Sequence, residues 1–274
     1  MDKKALQFCA RFALQPNLLG FCGRNSAPAK LFDCIVNGNC DGVREELEKF
    51  IVLNPYLQTI AEITGKDPFS YGIIEAYWLG NDLLKQIKLE HYQILITNLA
   101  KQGVPDFLIA EIKNKIPKEF IPIHLFNILH VGVGKASGSV PFNLGSINNC
   151  MVRWGKVSSK GKVVSIKGDK NDQYSYINFK IEKKLPLDKE GRQAKHGREI
   201  LSSKLATVQT VKLTQKEKHY HLIESTEEIP YLAQLTGELK IGDHVALHWG
   251  WIAKKINQNE KLILKEWTEK LLEN

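Results

Sequence analysis

Several features that would assign this sequence to a common functional class are missing from it. No apolar run approaches the roughly 18 residues that a membrane span needs. The first residues combine lysines with apolar side chains but include no small-residue cleavage site, so we interpret them as an amphipathic helix and not as a signal peptide. The sequence also has no phosphate-binding glycine loop and no RNA-binding motif. We therefore expect a protein that is not associated with a membrane.

Cysteine is scarce and shows no recognisable framework. The five cysteines are odd in number and scattered, and no two of them form a C-x-x-C pair: Cys9, Cys22, Cys34, Cys40 and Cys150. This pattern argues against a disulfide framework and against a zinc knuckle. It favours a reducing compartment, so we predict a cytoplasmic protein.

The net charge of +8 is unevenly distributed. Residues 1–149 carry 15 basic and 14 acidic side chains, whereas residues 150–274 carry 23 and 16. A basic half invites a nucleic-acid hypothesis, with stacking groups drawn from Tyr174, Tyr176, Trp249 and Trp251. However, the lysines are spread out and form no compact cluster with arginine, and the tryptophans can equally belong to a core. A solvated surface is the favoured interpretation, and nucleic-acid binding ranks last.

The hydrophobic pattern changes its period near the middle of the chain. The first part has helical spacing, with six or seven helices that include residues 3–14, 28–36, 43–53, 55–63, 83–99 and 105–115. Gly, Ser, Pro and Asn then accumulate in a connector at residues 141–148. Beyond it the period is two, and the candidate strands are residues 151–157, 162–167, 174–181, 206–213, 220–223 and 244–249, with a charged loop at 185–203.

These patterns predict an α+β protein of two domains. The first predicted domain, residues 1–140, is all-helical and has no assigned role. Residues 149–274 form a small antiparallel OB-like β-barrel, which a helix over residues 256–272 completes. At 274 residues, two domains are favoured over one.

Cys150 and His248 are the candidates for chemistry in the second half. A thiolate is a soft metal ligand, and we expect Arg153 and Lys156 to lower the pKa of Cys150, while Gly155 leaves space for a neighbouring strand. The alternative is a buried cysteine that begins a strand. His248 lies in an apolar strand, where a neutral imidazole can bind a metal or simply belong to the core. His244, four residues earlier and on the same strand face, is a weaker candidate.

Two motifs in this half resemble the HypC/HupF family of [NiFe]-hydrogenase assembly chaperones. The family pattern of Cys, three residues and Pro-Gly-(Lys or Gln)-(Val or Ile) is matched by residues 150–157, with Trp154 in place of the proline. A second pattern, which contains Val-Leu-Val-His-x-Gly-Phe-Ala, is matched almost position for position by residues 242–251 and is followed by a helical stretch, as in the family. Both motifs occur in the family's order.

The resemblance implies a carrier rather than an enzyme. Proteins of the family carry iron with cyanide and carbonyl ligands, work with a HypD-type partner, and deliver the iron to the precursor of a hydrogenase large subunit. On this basis Cys150 is an accessible iron ligand and docking thiol, and His248 lies within a few Å and assists it. The family's cysteine becomes the first residue of the mature chain, whereas Cys150 follows Asn149. Two alternatives therefore stay open: a carrier like the other members of the family, or a fused relative with a modified function.

The helical half offers a second group of candidates. Cys22, Glu75, His124 and His130 are polar or metal-binding side chains in apolar surroundings, and they could build a mixed metal or ligand pocket between helices. Joint binding by the two histidines would need a bend, because they are six residues apart. Core and capping roles are the favoured alternative. A metal-dependent enzyme that makes or transfers a small ligand in this half is the second hypothesis for the whole chain.

Overall fold

A computed structural model describes residues 2–23, 26–163, 204–217 and 219–273. The strand predicted at 174–181, the loop predicted at 185–203 and the aromatic side chains Tyr174 and Tyr176 lie outside these residues. The same is true of most of the strand predicted at 162–167. None of the helices in the described ranges is long and apolar enough to cross a membrane.

Helices occupy most of the first 150 residues. They are α1 Lys3–Leu18, α2 Ala27–Asn37, α3 Val43–Leu47, α4 Leu53–Thr64, α5 Tyr71–Trp78, α6 Tyr92–Lys101, α7 Asp106–Asn114, α8 His124–Phe126 and α9 Leu144–Cys150. Two 3₁₀ turns, Asp82–Gln86 and Leu89–His91, precede α6. A π-helical turn, Asn127–Gly132, continues α8 without a break.

Three predicted helix boundaries are wrong, and one of them has a local reason. The helix predicted to stop before Pro16 continues through it to Leu18. The helix predicted at 83–99 is two 3₁₀ turns followed by α6, because the side chain of Asn81 accepts a hydrogen bond from the backbone of Leu83 and begins a tighter turn. The helix predicted at 43–53 is the short α3, which ends at Leu47. Competing side-chain hydrogen bonds of this kind do not disturb hydrophobic periodicity, so the pattern does not reveal them.

The second part of the chain contains a five-stranded antiparallel sheet. Its strands are β1 Arg153–Val163, β2 Lys204–Lys216, β3 His219–Tyr231, β4 His244–His248 and β5 Trp251–Ile256. The helices α10 Ala233–Thr236 and α11 Gln258–Leu272 complete this part. The strand order is β3-β2-β1-β4-β5, so β1 is central and pairs with both β2 and β4. The predicted change from helices to an antiparallel sheet with a C-terminal helix is confirmed.

The sheet is not closed into a barrel by hydrogen bonds in the described residues. Its two edge strands are β3 and β5, and these do not form a ladder with each other. The pairing of β1 with β4 confirms the prediction that the two motifs lie on neighbouring strands, with Arg153 opposite Leu247 and Lys156 opposite His244. Cys150, expected immediately before the strand at residues 151–157, is the last residue of α9.

The main apolar core is shared between the helices and the sheet. It contains buried side chains from both, among them Phe12, Trp78, Met151, Trp251 and Trp267. A smaller core between strands contains Val157, Val208, Val245, Leu247 and Ile252, among others. The predicted connector at 141–148 holds most of α9, and as a domain boundary it stays a prediction. Because the main core is continuous, side chains from distant parts of the chain can meet inside it.

One disulfide differs from the sequence-based expectation. Cys34, in the last turns of α2, is bonded to Cys40, and their Cα atoms are 4.3 Å apart. Gly38 follows α2 with a φ of 71°, in the left-handed region that glycine favours, and this turn reverses the chain within six residues. The expectation that the chain has no disulfide framework is therefore wrong for this pair. Cys9, Cys22 and Cys150 are free thiols.

The first testable prediction concerns Gly155, at the centre of the sheet. A Cβ atom on this residue would lie 2.3 Å from Cγ1 of Val208 and 3.0 Å from the carbonyl oxygen of Gln209, both on β2. Gly155→Ala should therefore lower the free energy of unfolding by about 2 kcal/mol, because the added methyl group forces β1 and β2 apart. Urea unfolding followed by circular dichroism measures the change.

Gly72→Ala is the matched control for this prediction. Gly72 lies in the first turn of α5, and its Cβ would make an ordinary contact of 3.4 Å with Cδ1 of Leu83. We expect this variant to be neutral or stabilised by less than about 1 kcal/mol, because alanine favours helices. If Gly155→Ala unfolds at the wild-type urea concentration, then close approach of the strands does not require glycine at this position.

Candidate metal centre

Three metal-binding side chains from distant parts of the sequence meet in the core. They are His124 at the start of α8, Cys150 at the end of α9 and His248 at the end of β4. One ligand atom from each lies within 4.8 Å of the other two. The three residues are 8%, 5% and 2% exposed, so water has little access to them. The predicted proximity of Cys150 and His248 is confirmed, and His124 joins them.

The orientation of His248 follows from a proline in α1. Pro16 has no backbone N–H, so the carbonyl of Phe12, four residues earlier, has no helical donor. Nδ1 of His248 donates to that carbonyl at 2.8 Å. Because a carbonyl only accepts, the proton of the neutral ring is on Nδ1 and the lone pair is on Nε2. This Nε2 atom is buried and makes no hydrogen bond to other described residues.

His124 is held in a similar way. Its Nδ1 atom is 2.7 Å from the hydroxyl of Tyr77, which lies on α5, and its Nε2 atom is 3.4 Å from Sγ of Cys150. Histidines that bind metals usually coordinate through one ring nitrogen while a hydrogen bond orients the other. Both His124 and His248 show this arrangement around the thiol of Cys150. The three groups thus resemble a metal-ligand set more than an ordinary buried cluster.

Burial keeps all three groups uncharged. It lowers the pKa of His124 well below the usual value, and the proximity of His248 lowers it further. Burial also lowers the pKa of His248 to about 4, although the backbone groups of Phe12 and Cys150 act in the opposite direction. The pKa of Cys150 is raised well above its usual value, first by burial and then by Cys22, while the side chain of Trp249 opposes this. Neutral imidazoles are ready to bind a metal, whereas the thiol must first lose its proton.

Two expectations about Cys150 are therefore wrong. The thiol is not accessible at the surface, because Cys150 is buried and only 5% exposed. Arg153 does not lower its pKa, because the buried guanidinium makes an ion pair with Glu227 at 2.6 Å and also donates to the carbonyl of Val211. Lys156 is exposed, and the pKa of Cys150 lies above its usual value. The positions of Arg153 and Lys156 close to Cys150 in the sequence therefore did not predict a lowered pKa for the thiol.

A cavity of about 60 Å³ adjoins the three side chains. Its walls come from α1, residues 21–23, residues 50–53 and several residues between 132 and 140. Its polar lining includes Cys22, Tyr77, Asn127 and Ser137, and most of the rest is apolar. Three protein ligands with open space beside them are typical of metal sites that bind a further ligand.

Trp249 closes one side of this site in an unusual backbone conformation. Its φ is 51°, a region that non-glycine residues rarely adopt, and Gly250 follows with a φ of 71°. Two consecutive residues with positive φ form the tight turn that connects β4 to β5. The backbone N–H of Trp249 donates to the carbonyl of Asn149, and its ring packs against Phe21 at 4.6 Å between centroids. The turn thus joins the sheet to α9 and to the cavity wall.

The other predicted site residues lie elsewhere. Glu75 accepts a hydrogen bond from Asn81, and His130 is paired with the hydroxyl of Tyr92 at 2.8 Å. His244, at the start of β4, is not part of the His–Cys–His set. The pocket predicted from Cys22, Glu75, His124 and His130 is therefore wrong as a group. Cys22 and His124 line one cavity between the helices and the sheet, and among the described residues Glu75 and His130 do not line it.

The two tryptophans proposed as stacking groups belong to the core. Trp249 is 5% exposed and Trp251 is 1% exposed. Neither ring is available to stack on a nucleotide base. Of the four aromatic residues behind the nucleic-acid hypothesis, the two in the described part of the chain give it no support.

A family model matches residues 1–173 and 195–274 and carries the description DUF6390, a family of unknown function. The chain belongs to the DUF6390 family. The match spans both the helices and the sheet of this DUF6390 protein, and it includes all three candidate ligands. Searches of curated proteins and of solved structures found no match. The function of this DUF6390 protein must therefore be argued from the site.

Acid should destabilise the fold through the buried imidazoles. The pKa of His248 is about 4 in the folded protein and about 6.5 in the unfolded chain, so between these values the unfolded state binds more protons. The contribution of the neutral His248 side chain to the free energy of unfolding is complete above pH 6.5 and is lost as the pH falls to 4. We expect His248 to account for about 3 kcal/mol of the stability lost in this range, as measured by urea unfolding at several pH values.

Variants separate this contribution from general acid effects. His248→Asn should reduce the pH dependence between pH 4 and 6.5, because one titrating group is gone, whereas His124 and His130, whose pKa values burial also lowers, remain. His221→Asn, at an exposed position on β3, should leave the dependence unchanged. An unchanged curve for His248→Asn would show that His248 is not held neutral in the fold.

Proposed function

We propose that the protein binds one transition-metal ion through His124, Cys150 and His248. The observation that carries this proposal is the orientation of the two imidazoles. Each has its Nδ1 atom hydrogen-bonded, to Tyr77 or to Phe12, and each leaves Nε2 for a metal beside the thiol. Two imidazoles and a thiolate form a borderline-soft set that suits iron, zinc, nickel or copper.

We further propose that the metal is cargo and that the protein is a metallocentre assembly factor. Cys150 and His248 occupy the cysteine and histidine positions of the two motifs that resemble the HypC/HupF family, and they lie within reach of one ion. On this proposal the cargo is iron with cyanide and carbonyl ligands. A HypD-type protein supplies it, and the precursor of a hydrogenase large subunit receives it.

The surroundings of the site are compatible with such cargo. The cavity is mostly apolar and has room for small uncharged ligands beside the three side chains. The OB-like closure that the resemblance implies also belongs to this proposal: β3 and β5 approach within 8 Å between Cα atoms, although they are not hydrogen-bonded.

Delivery of a buried cargo requires the cavity wall to open. That wall includes residues 21–23 and several residues of the segment 132–140. The two segments are bridged by Ser139, whose hydroxyl donates to the carbonyl of Phe21 at 2.7 Å. An opening of these segments would expose Cys150, which the folded arrangement covers. On this proposal Cys150 is a buried metal ligand, whereas the sequence-based hypothesis made it an accessible docking thiol.

Anaerobic co-purification with candidate partners tests the assembly function. The protein isolated with a HypD-type partner should contain about one iron per chain, and infrared spectroscopy should show bands where metal-bound cyanide and carbon monoxide absorb. Cys150→Ser should lose both signals, and Cys9→Ser, at a buried thiol on α1, should keep them. Metal without those bands, or no association with the partner, would count against the assembly function while leaving the metal site intact.

A metal-dependent enzyme is the second candidate function. It is favoured by the open space beside three protein ligands, an arrangement that catalytic metal sites use to admit a substrate. The two functions differ in the fate of the metal. After incubation with a hydrogenase precursor and separation of the proteins, a carrier has lost its metal to the precursor, whereas an enzyme has kept it. Metal analysis of both fractions decides between them.

A further inference from the structure

Asn127 is a buried polar side chain that the proposed metal set does not use. It is 6% exposed and lines the cavity beside the three ligands. Its Oδ1 atom is buried and has no hydrogen-bond partner in the described part of the chain. Buried polar atoms are almost always paired, because an unpaired one loses its hydrogen bonds to water without replacement. Asn127 therefore brings an acceptor without a donor to the wall of this cavity.

The position of Asn127 follows from the local helix geometry. It is three residues after His124, so both side chains lie on the same side of the helical segment. A π-helical turn begins at Asn127 and ends at Gly132, and both residues line the cavity. Such turns are rare and occur mostly at functional sites. This local geometry places Asn127 against the same cavity as the candidate metal ligand His124.

The remaining lining limits what the cavity can accept. No lining residue within the described ranges is Asp, Glu, Lys or Arg. A charged molecule would lose its hydration there without gaining an ionic partner. A water molecule needs roughly 10–15 Å³ of such space, so about 60 Å³ accommodates a molecule of about four non-hydrogen atoms.

We propose that this cavity binds a small uncharged molecule with an N–H or O–H group, which donates a hydrogen bond to Oδ1 of Asn127. This ligand class deepens the proposed function, because the molecule lies beside His124, Cys150 and His248. Asn127 orients the donor end, and the apolar walls enclose the rest. The hydrogen bond itself requires no metal, so it can be tested on metal-free protein.

Acetamide and acetone form a matched pair of probes. They have the same number of non-hydrogen atoms, and acetone replaces the N–H donors of acetamide with a methyl group. Binding to the metal-free protein is measured by ligand-detected NMR with competition between the two. We expect acetamide to bind about tenfold more tightly, because a site built around a buried acceptor discriminates against a ligand that leaves it unpaired.

Variants assign the preference to Asn127. Asn127→Leu has a similar volume and no acceptor, so it should bind the two probes equally or favour acetone. Ser137→Ala changes another residue of the cavity lining and should keep the wild-type preference. Circular dichroism and thermal unfolding verify that each variant is folded. If Asn127→Leu does not fold, the comparison of the two probes on the wild-type protein decides alone.

The outcomes separate this inference from the metal proposal. Equal binding of the two probes, no binding of either, or a preference that survives in folded Asn127→Leu would each overturn the inference. Metal titration of the same preparation is scored independently. Selective binding of acetamide by a protein that takes up no metal would support the ligand site and reject the metal centre. Metal uptake without selective binding of acetamide would support the metal centre and reject the ligand site.

Discussion

Cys150→Ser is expected to lower the affinity for a transition metal about a thousandfold. Removing a group that merely orients a ligand typically costs tenfold to a hundredfold, so losing the thiolate itself should cost more. A serine hydroxyl keeps its proton at neutral pH and is a poor ligand for a borderline-soft ion. Titration of the metal-free protein with Co²⁺ measures the change, because thiolate coordination produces a charge-transfer band that the variant should lack.

Matched variants show whether the loss is specific to the three residues. His124→Ala and His248→Ala should weaken binding to a similar extent, and His130→Ala should not, because His130 is paired with Tyr92 away from the site. Cys9→Ser removes another buried thiol, whose pKa burial raises to about 12, and it should leave metal binding intact. Cys34 is unsuitable as a control, because it is bonded to Cys40.

Stability must be measured in parallel, because Cys150 is buried. We expect Cys150→Ser to lower the free energy of unfolding by about 1–3 kcal/mol, the cost of placing a hydroxyl in an apolar site. The three ligand variants differ in chemistry, so a common loss of metal among folded variants cannot reflect one packing defect. Wild-type metal affinity in folded Cys150→Ser would reject the thiolate as a ligand.

Metal affinity should rise about tenfold for each pH unit between pH 5.5 and 8.5. Burial holds the pKa of Cys150 well above its usual value, so throughout this range the metal must displace one thiol proton. The imidazoles do not compete, because His248 has a pKa of about 4 and that of His124 is also well below its usual value. The dissociation constant should therefore change by about three orders of magnitude across the range.

Competition titrations at several pH values, combined with proton release into a weakly buffered indicator, measure this dependence. About one proton per metal should appear in solution. Cys150→Ser should remove the dependence, because no ligand then titrates in this range. A flat profile in the wild-type protein would mean that the thiol is already ionised in the metal-free state. The release of two protons per metal would mean that a second ligand is protonated in the metal-free protein, in conflict with the buried neutral imidazoles.

Local sequence patterns predicted much of the secondary structure. Residues 28–36, 55–63 and 105–115 show helical spacing with boundary signals, and helices occur there as α2, α4 and α7. The alternating pattern of residues 151–157 and 244–249 likewise predicted β1 and β4. These features depend on neighbours a few residues apart, so the sequence contains the information directly.

The sequence predicted two of the three residues of the candidate metal site. Cys150 and His248 were identified because each lies in a motif with a recognisable spacing. His124 was assigned to a different group, because nothing local relates residue 124 to residues 150 and 248. One signal was present in the sequence: Pro16 leaves the carbonyl of Phe12 without a helical donor. The sequence does not show that His248, 236 residues away, supplies that donor.

The sequence by itself thus determined the succession of helices and strands, Cys150 and His248 as separate candidate residues, and the space that Gly155 leaves for a neighbouring strand. Only the tertiary structure decided that the thiol is buried, that Arg153 serves Glu227 instead of Cys150, and that His124 completes the set. The physical reason is that burial and pKa depend on which distant segments exclude water from a group. That exclusion arises when the helices and the sheet pack on one continuous core.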